Sequence, residues 1–532
     1  MIKDALRKLL SAQFKVEINK IRIDYPQTKF GDYSTNLAFT LAKQQKKSPT
    51  QVAQAMVDKL GQAQMLAKVE AKAGFINFYL SGQCLASVIG QILKEKRNFG
   101  HSDFGADMKV LVEFISANPT GPLTLGNGRG GFFGDVLANV LKSQGYHVSR
   151  EYYVNDTGTQ IENLGKSILA IKLGKKLDED LYQGEYVKQL AKKITGENAV
   201  QVGQAAAAII LEEYLQPSID KMGVSFDHYF SEKSLQQQGA IEHTLGILDK
   251  AGLIYHHDGA TWLKTTKLGE SKDDVLIKSD GQYTYFVCDI AYHLNKMQRG
   301  FNILIDILGA DHAGHKPRIE KVLKILSSEI FWQGQIEILV NQLVRLVKNG
   351  QEEKMSKRSG TFVTLDQLID KVGLDVTRFF FLSYALSTHL DFDLNLAQER
   401  SAKNPVFYVQ YAHARLCSIL KKAQQQGLIK NLVLSEIEFS QAEELALAKK
   451  LVQYPEILAD TAFDWQVQRL PFYCKQVADL FHSFYEQCHV LPSDKNPIEK
   501  KVINSRLALV LACKQVLENC LYLMGISAPD KM

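Results

Sequence analysis

The sequence predicts an α/β protein: a central parallel sheet, with a small α+β unit before it and an all-α bundle after it. Three observations carry this. KVLVEFIS, the helix-like stretch Gly130 to Gly145, and HVSREYYV form a strand–helix–strand unit in about 45 residues, and strands joined by one crossover helix pair in parallel. Short apolar runs return far downstream at QYTYFVCDIA, NILIDILGAD and IEILVNQLVRL, which adds strands to that sheet. From about Asp391 onward only long apolar-periodic stretches remain, such as PVFYVQYAHARLCSILKKA and SRLALVLACKQVLENCLYLMG, which predict a helical bundle.

The elements follow in order. MIKDALRKLLSAQF places Ile2, Leu6, Leu9 and Leu10 on one helical face, and Asp4 with no cleavage pattern argues against a signal peptide. Asp32, Ser34 and Thr35 offer cap chemistry to a second helix, and Ser48-Pro49 opens a third. VEAKAGFINFYLS alternates like a strand. Residues from about 158 to 270 are mostly polar and helical, an insertion between two halves of the sheet. Thr364 and Gln367 make a capping box after the lysine-rich stretch KNGQEEKMSKRSGTF. At 532 residues the chain holds about three domains: 1–82, α+β; 100–390, parallel sheet; and 391–532, all-α.

Composition narrows the partners. A net charge of +5 permits an anionic partner such as RNA without demanding one. The seven cysteines form no CxxC pair, which argues against a zinc knuckle or a disulfide framework and points to a reducing cytoplasm. No apolar run approaches ~18 residues, so no transmembrane helix is expected.

Two stretches carry chemistry. LTLGNGRGG (residues 123–131) follows the first strand of the sheet, where loops at carboxyl ends bind ligands. Its glycines let a phosphate approach the backbone, and the helix beyond offers its N-terminal N–H groups. Thr124 supplies a hydroxyl, Asn127 an amide, and Arg129 a cation within reach of a phosphate. KMSKR (354–358) sets three cations among serines, a combination suited to gripping a polyanion and stabilising a pyrophosphate leaving group. Each stretch also has a plain reading, a structural turn and a solvated basic loop. GADHAGH (309–315) places His312 and His315 three apart, a spacing that can hold a metal. It lacks the four-residue spacing and internal glutamate of a zinc-protease helix. Glu113 inside VLVEFIS and Asp289 between YFVC and IAYH are charges in apolar surroundings, where a charge is paired or functional.

TLGN followed by KMSK about 230 residues later resembles the two signatures of class I aminoacyl-tRNA synthetases, the first usually written HIGH. VEFISANPTGPLTLGNGRGGFFGDVLANVLKSQGYHVSREYYVNDTGTQI, GDYSTNLAFTLAK, DGQYTYFVCDIAYHLNK, LGADHAGH, NPVFYVQYAHAR and GISAPDKM are similar to arginyl-tRNA synthetases, and the resemblance covers essentially the whole chain. It implies a Rossmann-like catalytic domain, an N-terminal domain touching the tRNA elbow (through Gly31 to Asn36), and a C-terminal anticodon-binding bundle. It implies an arginine pocket of Glu113, Asn118, Tyr285, Asp289 and Asp311. ATP would contact Pro122, Thr124, Gly126, Asn127, Gly309, His312 and Met355. Catalysis would rest on Thr124, Gly126, Asn127, Lys354, Ser356 and Lys357, and Tyr408, Tyr411 and Arg415 would contact tRNA, with Phe407 and His413 nearby. The partners implied are arginine, ATP with its Mg²⁺, and an arginine-accepting tRNA, bound by a monomer that holds no zinc and touches no membrane.

Arginine would be activated to its adenylate and passed to the tRNA 3′ end without a protein nucleophile. Three positions depart from the family pattern: Thr124 and Asn127 replace both signature histidines, and Cys288 stands where a basic or polar residue is more usual. A catalytically impaired tRNA-binding paralogue, or a related synthetase for another amino acid, are the alternative readings.

Overall fold

A computed structural model describes residues 1–61, 63–178, 180–352, 363–493 and 497–532. They divide into two compact units. One comprises residues 102–400 with 524–526; the other comprises 1–101 with 401–523 and 527–532.

The first unit is built on five parallel strands: β1 (Lys109–Glu113), β2 (His147–Val154), β3 (His228–Ser231), β4 (Ile303–Gly309) and β5 (Gln335–Asn341). Their spatial order is β3-β2-β1-β4-β5. The chain steps outward from β1 to β3, then returns to lay β4 against the other side of β1. The carboxyl ends of β1 and β4 therefore flank a topological switch point, the usual crevice for a ligand in such a sheet. Val110, Leu111 and Val112 of β1 and Leu304 and Ile305 of β4 are fully buried, as strands covered on both faces must be.

Helix α1 (Leu125–Ser143) follows β1 and buries Phe132, Phe133, Val136, Leu137, Val140 and Leu141. It begins five residues before the Gly130 expected from sequence. Glycine normally weakens a helix, but here Thr124 and Asn127 close a capping box around its first turn. Its glycines permit close packing instead. A Cβ on Gly134 would lie 2.3 Å from the Phe114 ring, and one on Gly131 would lie 2.5 Å from Met222.

QYTYFVCDIA, expected as a strand, is the start of helix α2 (Tyr285–Gln298). Its aromatic and β-branched run favours a strand locally. The apolar face continues at helical spacing through Phe286, Val287, Ile290, Ala291, Leu294 and Met297, all buried, and tertiary burial decides. IEILVNQLVRL is two strands rather than one: β5, and then Val344–Lys348, which pairs in parallel with Leu390–Asp393. A strand therefore stands at the expected start of the all-α part. The insertion at 158–270 is likewise not wholly helical. It contains β3 of the central sheet and two strands of an antiparallel sheet, Ile254–His257 and Ala260–Leu263, completed by Asp274–Ile277.

In the second unit, VEAKAGFINFYLS forms a hairpin, Leu66–Lys72 and Phe75–Leu80, with Tyr33–Thr35 on its far edge. The turn residues Ala73 and Gly74 both have positive φ, the backbone that tight hairpins require. Ser48 caps helix Pro49–Leu60 with a complete capping box. The remaining helices include α3 (Pro405–Gln425) and α4 (Arg469–Gln487), with Ala442–Leu451, Tyr454–Asp464 and Lys500–Leu523. Among the described residues no helix is long and apolar enough to cross a membrane.

Candidate active site

Two cavities open at the switch point. The first, about 320 Å³, is lined by Thr124, Gly126, Asn127 and Gly130 of the α1 start, by Ile307 and Gly309 of β4 and Asp311 after it, and by Asn341 at the end of β5. The second, about 340 Å³, is lined by Glu113 at the end of β1, Ser116 and Asn118 after it, Asn155 and Gln160 after β2, Glu232 after β3, Tyr285 and Asp289 on α2, and Asp311, His312 and His315 after β4. Leu308 and Asp311 line both, so the cavities meet there.

The wall between them is strained backbone. Ile115 and Ser116 have φ of 65° and 36°. A β-branched residue in the left-handed region is an outlier and costs of order 1–3 kcal/mol. The strain turns the chain so that Ile115 faces the first cavity and Ser116 the second.

At the first cavity, the Thr124 hydroxyl accepts from Asn127 N (3.3 Å), and Asn127 Oδ1 accepts from both Thr124 N (3.0 Å) and the Thr124 hydroxyl (2.6 Å). The Thr124 proton is thus spent on the cap. The Asn127 amide nitrogen donates to no described residue, leaving its two N–H groups for a ligand. Asn341 Nδ2 holds the Gly126 carbonyl at 2.7 Å, while Asn341 Oδ1 is buried and accepts no hydrogen bond from the described residues. A buried acceptor left unpaired marks a place where a ligand's donor fits.

The expected glycine cradle divides. Gly126 and Gly130 face this cavity; a Cβ on Gly128 would instead meet Leu365 at 2.5 Å, and Gly131 faces Met222. Arg129 does not reach a phosphate. It is buried and donates to the carbonyls of Gln342, Ala385 and Thr388.

The second cavity is acidic. Glu232 is buried and accepts from the Tyr153 hydroxyl (2.9 Å) and the Thr157 hydroxyl (3.0 Å). Burial pushes its carboxyl up, and the like charge of Asp289 adds to this. Asp289 is part-exposed, 3.0 Å from His315 Nε2. Asn155 Oδ1 is a second buried acceptor with no partner among the described residues. Asn118 donates to Gln160 (2.7 Å). Glu113 is almost fully buried, its Oε1 accepting from Ser116 and its Oε2 from Lys296. Converging carboxylates and an orphan carbonyl suit a planar multi-donor cation.

One family model, the arginyl tRNA synthetase N terminal domain, matches residues 1–80. A second, tRNA synthetases class I (R), catalytic domain, matches 88–198 and 175–378. A third, the DALR anticodon binding domain, matches 409–532. The arginine–tRNA ligase of Syntrophotalea carbinolica is 42% identical over 537 residues, covering 97% of this chain and 95% of that protein. This chain belongs to the arginyl-tRNA synthetase family. The arginine–tRNA ligase of Bacillus licheniformis is 41% identical, covering 100% of this chain and 98% of that one. Among solved structures, a putative arginyl-tRNA synthetase from Campylobacter jejuni is 33% identical, with a TM-score of 0.75, over 85% of this chain and 100% of that one. Thermus thermophilus arginyl-tRNA synthetase, 20% identical with a TM-score of 0.77 over the full length of both chains, shares the fold.

In this synthetase chain, Glu113, Asn118, Tyr285, Asp289 and Asp311 all line the second cavity. Thr124, Gly126, Asn127 and Gly309 line the first. His312, expected beside ATP, lines the second cavity instead, 3.6 Å from the Asp311 carboxylate. Pro122 lines neither. Lys354, Met355, Ser356 and Lys357 lie outside the described residues.

Tyr408, Tyr411 and Arg415 share a face of α3. Arg415 donates to the Tyr411 hydroxyl (2.6 Å) and lies over Tyr411 and Tyr485, while His482 of α4 stacks on Tyr411. His413 belongs to the core instead, its Nδ1 3.0 Å from the Pro529 carbonyl. Its neighbours Cys417 and Asp530 bring the three groups within 4.8 Å of one another, and a thiol-to-carboxylate hydrogen bond ties the chain end to α3. Of Gly31 to Asn36, only Asn36 is exposed, because Tyr33, Ser34 and Thr35 form the buried edge strand.

Sequence reading missed Glu232, Asn155 and Asn341. Each closes a strand of the parallel sheet or follows it directly, so a polar residue at a strand's carboxyl end was the available signal.

Proposed function

We propose how this arginine–tRNA ligase divides its substrates: ATP in the Thr124 cavity, arginine in the Glu113 cavity. One observation carries this reading, the meeting of an acidic cavity and a helix-N-terminal cavity at Leu308 and Asp311. Arginine's guanidinium would face Glu232, Asp289, Tyr285 and the Asn155 carbonyl. Its carboxylate would then point to the junction, where the α-phosphate of ATP must lie. Asn127 amide N–H groups and the first turn of α1 would hold phosphate oxygens, and Lys354, Met355, Ser356 and Lys357 would close over the triphosphate.

The reaction needs no protein nucleophile. The arginine carboxylate attacks the α-phosphate, pyrophosphate leaves, and arginyl-adenylate remains. The 3′-terminal ribose hydroxyl of tRNA then attacks the activated carbonyl and releases AMP. The chain's contribution is alignment and charge stabilisation. Mg²⁺ would travel on the ATP phosphates. Asp311 is the only carboxylate among the described residues lining the ATP cavity, which fits a metal carried by substrate rather than a dedicated protein cage.

The other assignments belong to the same reading. Residues 1–82 and 391–532 would contact tRNA, the latter through Tyr408, Tyr411 and Arg415, whose aromatic faces and cation suit unstacked bases. The seven cysteines, all free thiols, support a cytoplasmic home, and a monomer remains our reading.

The test is arginine-dependent ATP–pyrophosphate exchange, with and without arginine-accepting tRNA. Exchange with arginine is expected, strongest with tRNA present. Absence of exchange in both conditions, or exchange with a different amino acid, overturns the proposal.

A further inference from the structure

Behind the arginine cavity lies a cluster of buried charges. Lys296 of α2 is 0% exposed. Its Nζ sits 2.5 Å from Glu113 Oε2 on β1 and 2.5 Å from Asp306 Oδ1 on β4. It also lies 4.2 Å from the centre of the Tyr292 ring. His293 Nε2 is 2.7 Å from Asp306 Oδ2, and His293 Nδ1 is 2.7 Å from the Asp289 carbonyl. From β2, Glu151 accepts from the Tyr292 hydroxyl and from both terminal nitrogens of Arg299. Ser116 donates to the free side of Glu113 at 2.8 Å.

Burying an ammonium costs several kcal/mol unless it is well paired. This one is paired twice, yet it does not line the cavity and cannot touch a substrate. The two carboxylates it serves are not equivalent. Asp306 has Lys296 on one oxygen and His293 on the other. Among the described residues Glu113 has Lys296 as its one ion-pair partner, with Arg299 acting only from farther off, and it alone of the pair lines the arginine cavity.

We propose that Lys296 is a positioning residue: it keeps Glu113 ionised and aimed, so that this wall of the arginine cavity stays anionic. The directions of proton affinity agree. Burial raises both carboxyls, but Lys296 and His293 together hold Asp306 well below the usual range, while Lys296 only partly offsets the rise at Glu113. Glu113 is therefore the member whose charge depends on the lysine. This rests on reading the cavity as the arginine site.

The experiment measures arginine-dependent exchange, with tRNA present, from mildly acid to alkaline pH for the wild type, Lys296→Met and Asp306→Asn. Both variants break the buried cluster, but only the first strips Glu113 of its cation. For Lys296→Met, the KM for arginine rises about tenfold per pH unit by which the Glu113 pKa exceeds the assay pH. It recovers as pH is raised, while kcat falls less. Asp306→Asn keeps the wild-type shape of the KM profile.

A Lys296→Met profile parallel to the wild type, or equal displacement in both variants, overturns the proposal and leaves the cavity assignment standing. A wild type without arginine-dependent exchange fails the cavity assignment itself. If Lys296→Met does not fold, Lys296→Gln, which keeps a hydrogen-bond donor between the two carboxylates without the charge, is measured in its place: a KM profile displaced from the wild type and recovering in alkali upholds the proposal, and a parallel one overturns it.

Discussion

Thr124 has a job before any substrate arrives. It caps α1, and its hydroxyl proton is committed to Asn127. In the proposed reading the signature histidines' work therefore falls on Asn127, whose two N–H groups meet no acceptor among the described residues. Thr124→Ser should keep the cap and near-wild-type exchange. Thr124→Ala should cost ~1 kcal/mol in thermal stability, the usual worth of an N-cap. Asn127→Ala should cut kcat by ~10²–10³, as loss of one charge-stabilising donor does. Equal losses for Thr124→Ser and Asn127→Ala would refute this division.

In the cavity proposed for arginine, Asp289→Ala should cripple arginine use, read as KM, yet leave tRNA binding intact, read by filter binding. Glu232 adds a pH dependence. Its carboxyl is raised by burial, so it takes up a proton at higher pH than an ordinary glutamate and loses its attraction for a cation. Arginine KM should climb as pH falls through that raised value, and Glu232→Gln should flatten the climb.

Sequence showed Glu113 and Asp289 because each is an acid inside an apolar run. It hid Glu232 in SEKS, where an acid is unremarked, and hid Lys296, because a lysine in YHLNKMQRG reads as a solvated helix face. Only the fold turns that face toward β1 and β4.

At the scale of elements, α1 shows how a correct motif was given the wrong shape. Glycines are frequent in α1, and those ahead of Gly130, Gly126 and Gly128, read as a loop, because glycine is a poor helix former. They are tolerated because most of them pack against neighbours. The distinction is testable along one helix. A methyl at Gly134 must displace the Phe114 ring, and overpacking of this kind costs ~1–3 kcal/mol. Gly126 meets only its own cap at 3.8 Å, so Gly126→Ala should keep or raise the melting temperature while weakening ATP use. Gly134→Ala should lower the melting temperature. A stable Gly134→Ala protein would show that α1 has room to shift.

α2 failed in sequence for the opposite reason, local strand propensity in YFVC overridden by a helical face that runs on to Met297. The strands β1 and β4 were legible because burial on both faces leaves continuous apolar runs, and β5 because Ile336, Ile338 and Val340 alternate along it. HYFS was too short to stand out from the helices around it.

At the scale of the whole molecule, composition divides the chain into three parts, but residues 1–101 and the helices from Ser401 onward form one compact unit. Nothing local announces this, since the joining contacts span the sequence. Glu456, fully buried on helix Tyr454–Asp464, accepts from Lys3 N (2.6 Å), 453 positions away, and from the hydroxyls of Tyr25 (2.6 Å) and Tyr33 (3.0 Å). Lys3 Nζ also pairs with Asp460 at 2.6 Å.

Burial raises the Glu456 carboxyl above its unfolded value, with the Tyr25 and Lys3 donors pulling it part of the way back. A carboxyl raised on folding binds its proton more tightly in the native state. Its contribution is therefore full below the unfolded pKa and is lost as pH rises through the folded one. Glu456→Gln removes that titration. The melting temperature of the wild type relative to Glu456→Gln should thus be most favourable in acid and decline across the range above the ordinary glutamate pKa. Glu456→Ala, which strands two buried hydroxyls and a backbone N–H, should cost ~3 kcal/mol or more at any pH. A difference between wild type and Glu456→Gln that grows with pH would mean that the three donors, rather than burial, set the state of this carboxyl, and that the two ends of the chain are joined by a charge.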